Sequence, residues 1–145
     1  MVKDYIKTYY LDKDYPCAES ILRAAAKAYN LKLDENTFRA LGPFGGGVSV
    51  EHLCGAIIGG VAFLGLILYK GDKKSLDKSK KATVEFYDSM VRYFASEMCF
   101  DIKKKWRKEE PVTGVKKLYG CLDVVTKASE LLDGILEKKI YRCFQ

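Results

Sequence analysis

The sequence lacks the closely spaced cysteine pairs that mark several common classes of cysteine protein. None of its five cysteines lies in a C-x-x-C, which excludes a thioredoxin motif and a zinc ribbon. C-x-x-C-H is also missing, so covalent attachment of a c-type haem is excluded. The glycines at 45–47 are followed by no lysine at P-loop spacing, so phosphate binding of that kind is not predicted.

The chain also lacks an N-terminal apolar stretch of the kind found in signal peptides. Residues 1–5 carry a lysine and an aspartate, so we expect a cytoplasmic protein that is not exported. Structural disulfides are rare in a reducing compartment. The five cysteines therefore favour metal binding or redox thiols, although free cysteine is also a common small core residue.

The charge balance is basic, with 25 Lys and Arg against 19 Asp and Glu, which gives a formal net charge of +6. Most of the excess lies in two clusters, at 70–81 and 103–108. Such clusters attract nucleic acid, but acidic residues are interleaved with both and no nucleic-acid-binding motif accompanies them. We interpret them as solvated helix ends and loops and predict no nucleic-acid partner. Docking of an acidic protein is the other interpretation.

The length and the hydrophobic pattern predict one all-α domain over residues 1–145, because no strand alternation is found. Its centre is an apolar helix expected to begin at Ser49 and to run to residue 69. A helix without a polar face must be covered on nearly all sides in a soluble protein. The uncharged apolar run within it, from Leu53 to Tyr69, falls a little short of the roughly 20 residues that a membrane span needs. We predict a helical bundle around this central apolar helix and no membrane span; an exposed flank would favour a homodimer.

Other helices follow from caps and apolar spacing. Asp14 and Pro16 predict a helix with Cys17 in its first turn and an end near Asn30, and Asp34 predicts the N-cap of a short helix.

After Gly71 a long helix is predicted, and then a break at 111–114 and a last helix. The buried stripe of the long helix is expected to comprise Val84, Tyr87, Val91, Phe94 and Met98, with Cys99 at its C-terminal end. The stripe of the last helix is expected to comprise Leu118, Cys121, Leu122, Val125, Ala128, Leu132 and Ile135. Residues 3–12 are compatible with a short helix or an extended arm.

Three of the cysteines are predicted to lie early in helices. The partial positive charge of a helix N-terminus stabilises the thiolate, which is the form that binds metal or attacks a disulfide. Cys17 is expected to benefit most, and Cys54 and Cys121 less. Sequence spacing alone does not show whether the cysteines meet in space.

The order of these residues resembles the C-GCAxxG-C-C family of redox-active bacterial and archaeal proteins. The resemblance covers most of the chain and depends on Cys17-Ala18-Glu19, Phe44-Gly45-Gly46-Gly47, Cys54-Gly55-Ala56-Ile57-Ile58-Gly59, Cys99 and Cys121. It implies that Cys17, Cys54, Cys99 and Cys121 are the four cysteines of the family. Cys143 falls outside the pattern and is expected to be a surface or tail thiol.

The resemblance also implies a cofactor. Relatives among the split-Soret cytochromes pair such a domain with haem and are associated with an iron–sulfur centre. Four thiolates are the ligands of an iron–sulfur cluster and also of a tetrahedral zinc ion. The redox character of the family favours iron, with zinc or no metal as alternatives.

His52 and the triple glycine are further candidates for the site. His52 is the single histidine; it is either a polar residue of the first helical turn or a fifth ligand or proton carrier beside a cluster. Gly45, Gly46 and Gly47 are expected to bring the loop close to the cysteines and to donate N–H groups to sulfur.

Three functions are compatible with the sequence. The first is electron transfer through a cysteine-ligated iron–sulfur or other metal centre, with a redox protein as partner. The second is a metal-free thiol–disulfide protein. The third is a non-catalytic helical module whose cysteines are part of the core.

Overall fold

The fold was described from a computed structural model that covers residues 1–109 and 119–143, with side chains described outside 105–120 and 140–145. The longer helices are α1 Cys17–Ala28, α2 Glu35–Ala40, α3 Gly55–Leu68, α4 Lys73–Phe94, α5 Cys99–Glu109 and α6 Tyr119–Cys143. Within the described ranges no strand is present, and the buried side chains from Val2 to Leu136 form one core. The prediction of an all-α single domain is therefore confirmed.

Helix α3 packs against α1, α4 and α6, and its glycines permit the close approach. A Cβ at Gly59 would lie 2.5 Å from the carbonyl oxygen of Ala18, and one at Gly60 would overlap the ring of Phe86. Side chains at these positions would force the helices apart. The apolar stretch therefore serves helix packing. Among the described helices, none combines the length and apolar character that a membrane crossing requires.

Two predictions about α3 need correction. The helix begins at Gly55 rather than at Ser49, because the preceding backbone is left-handed at Gly46, Gly47, Val48, Ser49 and Glu51. Cys54 is consequently the N-cap residue of the helix. Coverage on nearly all sides is not confirmed, since Ile58 and Val61 are only partly buried and Leu66 is 40% exposed.

The predicted stripe of α4 is correct only in part. Tyr87 and Phe94 are partly buried and pack against the core, whereas Val84 is 58% exposed and the buried residues are Ser79, Ala82, Phe86 and Met90. The buried face is therefore rotated by about one residue from the predicted one, and Ser79 and Ala82 contribute little hydrophobic signal to it. The helix ends at Phe94, because Ala95 adopts a left-handed conformation with φ 59°.

Cys99 belongs to a separate helix, α5, which the sequence pattern missed. The side chain of Ser96 accepts a hydrogen bond from the backbone N–H of Met98 (3.0 Å) and donates one to Asp101 (2.9 Å). Cys99 is therefore the first residue of α5 and not the last of a long helix.

The N-terminal segment is helical, which decides the question left open for residues 3–12. It forms short turns at Val2–Asp4 and Thr8–Asp12. Val2, Ile6 and Tyr10 recur every fourth residue and are buried. The buried carboxylate of Asp133 on α6 accepts hydrogen bonds from the backbone N–H of Val2 (2.8 Å) and of Lys3 (3.1 Å). This attachment holds the segment in the core.

The predictions for α1 and α2 agree with the structure, and several others fall on residues outside the described ranges. Asp34 caps α2 by accepting a hydrogen bond from the backbone N–H of Asn36 at 2.8 Å, as predicted. Helix α1 begins at Cys17 and ends at Ala28, close to the predicted bounds. The predicted break at 111–114 and the side chains of Leu118 and Cys143 lie outside the described residues, as does most of the basic cluster at 103–108.

Candidate functional site

Four cysteines from four helices line one cavity of about 310 Å³. Cys17 and Cys99 are the first residues of α1 and α5, Cys54 caps α3, and Cys121 lies near the N-terminal end of α6. The structure thus brings together the residues predicted as metal ligands. Each also lies where its helix presents the positive end of the backbone dipole.

Cys54 and Cys99 are positioned by a direct backbone connection between two distant segments. The N–H of Cys54 donates to the carbonyl of Glu97 (2.9 Å), and the N–H of Cys99 donates to the carbonyl of His52 (2.6 Å). An antiparallel bridge between Leu53 and Met98 lies between these bonds. The starts of α3 and α5 are therefore fixed side by side, and so are their cysteines.

The glycine-rich loop closes one side of the cavity. Gly45 and Gly46 line it, and a Cβ at Gly47 would lie 2.5 Å from the Cβ of Cys99. On the other side of the loop, a Cβ at Gly55 would overlap the sulfur of Cys17. Gly47 thus passes close to Cys99, and a side chain at Gly47 or Gly55 would collide with a cysteine. Donation of N–H groups from the loop to sulfur stays a prediction.

The loop continues in a left-handed conformation past the glycines. Val48 has φ 58° and ψ 36°, and Ser49 has φ 60°. A β-branched residue in this region is a true backbone outlier. The Ser49 hydroxyl donates a hydrogen bond to the carbonyl of Pro43 at 2.7 Å, which helps to hold the turn. Strain of this kind is characteristic of functional sites.

Burial governs the protonation of the thiols. It raises the pKa of Cys54 to about 12, with a further rise from Cys17, while the backbone N–H groups of Ala56 and Ile57 act in the opposite direction. It also raises the pKa of Cys121 to about 11 and raises that of Cys99. At Cys54 and Cys121 the net effect thus favours the protonated thiol, because desolvation outweighs the stabilisation of thiolate expected from the helix N-terminus.

Two further residues of the cavity were missed by the sequence analysis. Buried Tyr10 and half-buried Lys103 both line the cavity. The Tyr10 hydroxyl lowers the pKa of the Cys121 thiol and the Lys103 ammonium lowers the pKa of the Cys99 thiol, each against the larger rise caused by burial. Lys103 lies one helical turn after Cys99 and Tyr10 one turn after Ile6. Both spacings are visible in the sequence once the helices are placed correctly.

His52 does not reach this cavity. It is exposed and is not among the described residues that line it. Its contribution is made by its backbone, which bonds to Cys99 and to Gly47. The expectation of a fifth ligand or proton carrier therefore has no support in its placement.

The thiols surround a space rather than meet at a point. Among the described side chains, no three of the Cys, His, Asp and Glu residues lie close enough together to hold a single metal ion. A tetrahedral zinc ion needs four ligands at about 2.3 Å from its centre. Metal binding by Cys17, Cys54, Cys99 and Cys121 thus stays a prediction.

The fold and site define an all-α protein in which four thiols from separate helices share one pocket. The chain belongs to the C_GCAxxG_C_C family, described as "Putative redox-active protein (C_GCAxxG_C_C)", whose sequence model matches residues 15–135. The family assignment made from the sequence is confirmed. The match includes the four cavity cysteines and leaves out Tyr10 and Cys143.

The chain is also similar to an archaeal protein from Archaeoglobus fulgidus whose name is "Uncharacterized protein". The two are 26% identical over 131 residues, which cover 83% of this chain and 84% of the relative. No solved structure gives a significant match.

Proposed function

We propose that this chain is an electron-transfer protein whose cysteines Cys17, Cys54, Cys99 and Cys121 bind an iron–sulfur cluster. The observation that carries the proposal is the convergence of these thiols from four helices on one cavity. The redox character of the family agrees with it.

The chemistry and size of the cavity fit such a group. Four cysteine sulfurs are the usual ligands of two-iron and four-iron clusters. The cavity of about 310 Å³ far exceeds the roughly 10–15 Å³ that one water-sized sphere requires. It therefore suits a group of several atoms better than a single zinc ion. Four helix N-termini directed at the cavity favour the negative charge that thiolates and sulfide bring.

The side chains of this chain would have distinct tasks around the cluster. The four cysteines would bind it, and Tyr10 and Lys103 would donate hydrogen bonds to Cys121 and Cys99. Apolar residues of the lining, among them Ile102, Val124 and Val125, would exclude water. Hydrogen bonds to sulfur and exclusion of solvent are the means by which a protein sets the potential of such a centre. The bound cluster would supply reversible one-electron transfer.

Burial makes cluster binding dependent on protons. With raised pKa values at Cys54, Cys99 and Cys121, these thiols are protonated near neutral pH in the empty protein. Ligation requires thiolate, so loading releases protons and becomes more favourable as the pH rises.

The direct test is anaerobic purification followed by iron and acid-labile sulfide analysis, with visible absorption to detect charge transfer from thiolate to iron. We expect iron and sulfide in the wild-type protein. We expect a loss of most of both in each of Cys17→Ser, Cys54→Ser, Cys99→Ser and Cys121→Ser. Circular dichroism would show whether each variant keeps its helical fold.

Two control variants set the specificity of this test. Cys143→Ser removes a cysteine outside the family match, and His52→Ala removes an exposed imidazole. Both should keep full iron content. Equal retention in all variants would refute the ligand set.

Other results would identify the alternatives. A protein free of metal in which oxidation links two of the four cysteines, seen by mass spectrometry, would indicate a thiol–disulfide protein. A protein without metal and without a linked pair would indicate a helical interaction module. A redox protein partner, a homodimer and a cytoplasmic location stay predictions of the sequence.

A further inference from the structure

Lys103 is placed differently from the other described lysine of the basic cluster. It is half-buried and lines the cavity beside Cys99 and Cys121. Its neighbour Lys104 is exposed, with its ammonium over the ring of Phe100 at 4.9 Å from the centroid. Adjacent residues of one helix thus place one positive charge inside the site and one outside it.

The placement of Lys103 near the thiols follows from helix geometry. Residues four apart lie on the same face of a helix, and Lys103 follows Cys99 by four in α5. Both residues therefore line the same side of the cavity, which Cys121 lines as well. The positive charge of Lys103 lowers the pKa of the Cys99 and Cys121 thiols against the rise caused by burial.

We infer that Lys103 tunes the reduction potential of the cysteine site by holding a positive charge against the sulfur of Cys99. The inference rests on the proposed function. When a reduced carrier protein passes one electron to the site, the carrier is oxidised by one electron and the site gains one negative charge. No covalent bond forms or breaks and no proton is required. The fixed charge of Lys103 stabilises the reduced form more than the oxidised form.

The size of the effect depends on the low polarity of the surroundings. Water and salt weaken the attraction between exposed charges strongly, and they weaken it much less in a partly buried site. Lys103 lines the cavity together with the apolar side chains of Ile102, Val124 and Val125. Lys104 faces solvent, so the same charge there should influence the site weakly.

The test is an anaerobic optical redox titration of the loaded protein with Lys103→Met, Lys103→Arg and the matched control Lys104→Met. At a fixed potential, Lys103→Met should lower the ratio of reduced to oxidised protein by at least about tenfold, or about 59 mV for one electron. Lys103→Arg keeps the charge and should stay near the wild-type value. Lys104→Met should produce a smaller shift that declines with added salt.

The outcomes separate this inference from the proposed function. Equal potentials for the Lys103→Met and Lys104→Met proteins, both with full iron content, would overturn the inference alone. No iron or sulfide in the wild type would overturn the proposed function and the inference with it. Loss of iron in Lys103→Met, with retention in Lys103→Arg, would support a requirement for positive charge beside the thiolates.

Discussion

The buried thiols of the cavity lie in surroundings that lower their reactivity. Cys54 and Cys99 are each only 6% exposed, and the thiolate rather than the thiol is the nucleophile. The raised pKa values of these two thiols should therefore slow their alkylation near neutral pH in the metal-free protein. The same burial would leave a bound group shielded from solvent.

This protection predicts an unusual pH dependence of alkylation. In the reduced, metal-free protein, the rate at which iodoacetamide modifies Cys54 should rise about tenfold per pH unit from pH 7 to 9.5, because the thiolate fraction grows without levelling off. Peptide mass spectrometry gives the rate at each site. In the urea-unfolded protein the same cysteine should level off near its ordinary pKa. A plateau below pH 9 in the folded protein would contradict the raised pKa of about 12.

At the scale of a helix, α3 uses glycine for two different purposes along its length. Near its N-terminus Gly55 leaves room for the sulfur of Cys17 and for the carbonyl of Phe44, which lies 3.0 Å from the position of a Cβ. Near its C-terminal end Gly65 has no neighbour within 4 Å of such a Cβ. The first glycine is required by the site, and the second is not required by packing.

The two glycines therefore form a matched pair for mutation. Gly55→Ala should destabilise the protein by about 1–3 kcal/mol through overpacking and reduce its iron content by displacing Cys17. Gly65→Ala should stabilise it by about 0.5–1 kcal/mol, because alanine favours a helix interior. Urea unfolding measures the free energies. The assignment fails if Gly55→Ala is as stable as the wild type.

The sequence predicted less about α4 and α5 than about α1 and α2. Cys17 and Asp34 were placed correctly because a proline and a cap residue act locally. The division between α4 and α5 was missed because it depends on a left-handed alanine at residue 95, a residue type that ordinarily favours helix. Lys103 was assigned to a solvated cluster because its position on the face of Cys99 is seen only when residues 99–103 are placed in one helix.

At the scale of the whole molecule, the start of the chain is attached to its last described helix. The carboxylate of Asp133 is 1% exposed and accepts the backbone N–H groups of Val2 and Lys3. Tyr10, on the same N-terminal segment, lines the cavity together with Cys121 of α6. Both ends of the segment therefore lie against α6, and no pattern in the sequence indicated either arrangement.

Removal of the Asp133 carboxylate should weaken the attachment of the N-terminal segment and so the packing of Tyr10 in the wall of the cavity. Asp133→Ala leaves a buried N–H at Val2 without its acceptor, which costs about 1–3 kcal/mol. Hydrogen exchange should then accelerate from residue 2 to residue 10 before the rest of the core. Asp123→Ala, at an exposed position of α6, should leave both stability and exchange unchanged. An unaltered exchange rate in Asp133→Ala would show that the apolar contacts of the segment suffice.

The hydrogen bonds that join residues 52–54 to residues 97–99 run between main-chain atoms. They hold the backbones of Cys54 and Cys99 side by side and involve neither thiol. We therefore expect that a chelator which removes the proposed cluster would leave these two backbone segments in place. Reloading would then need little rearrangement of this half of the ligand set.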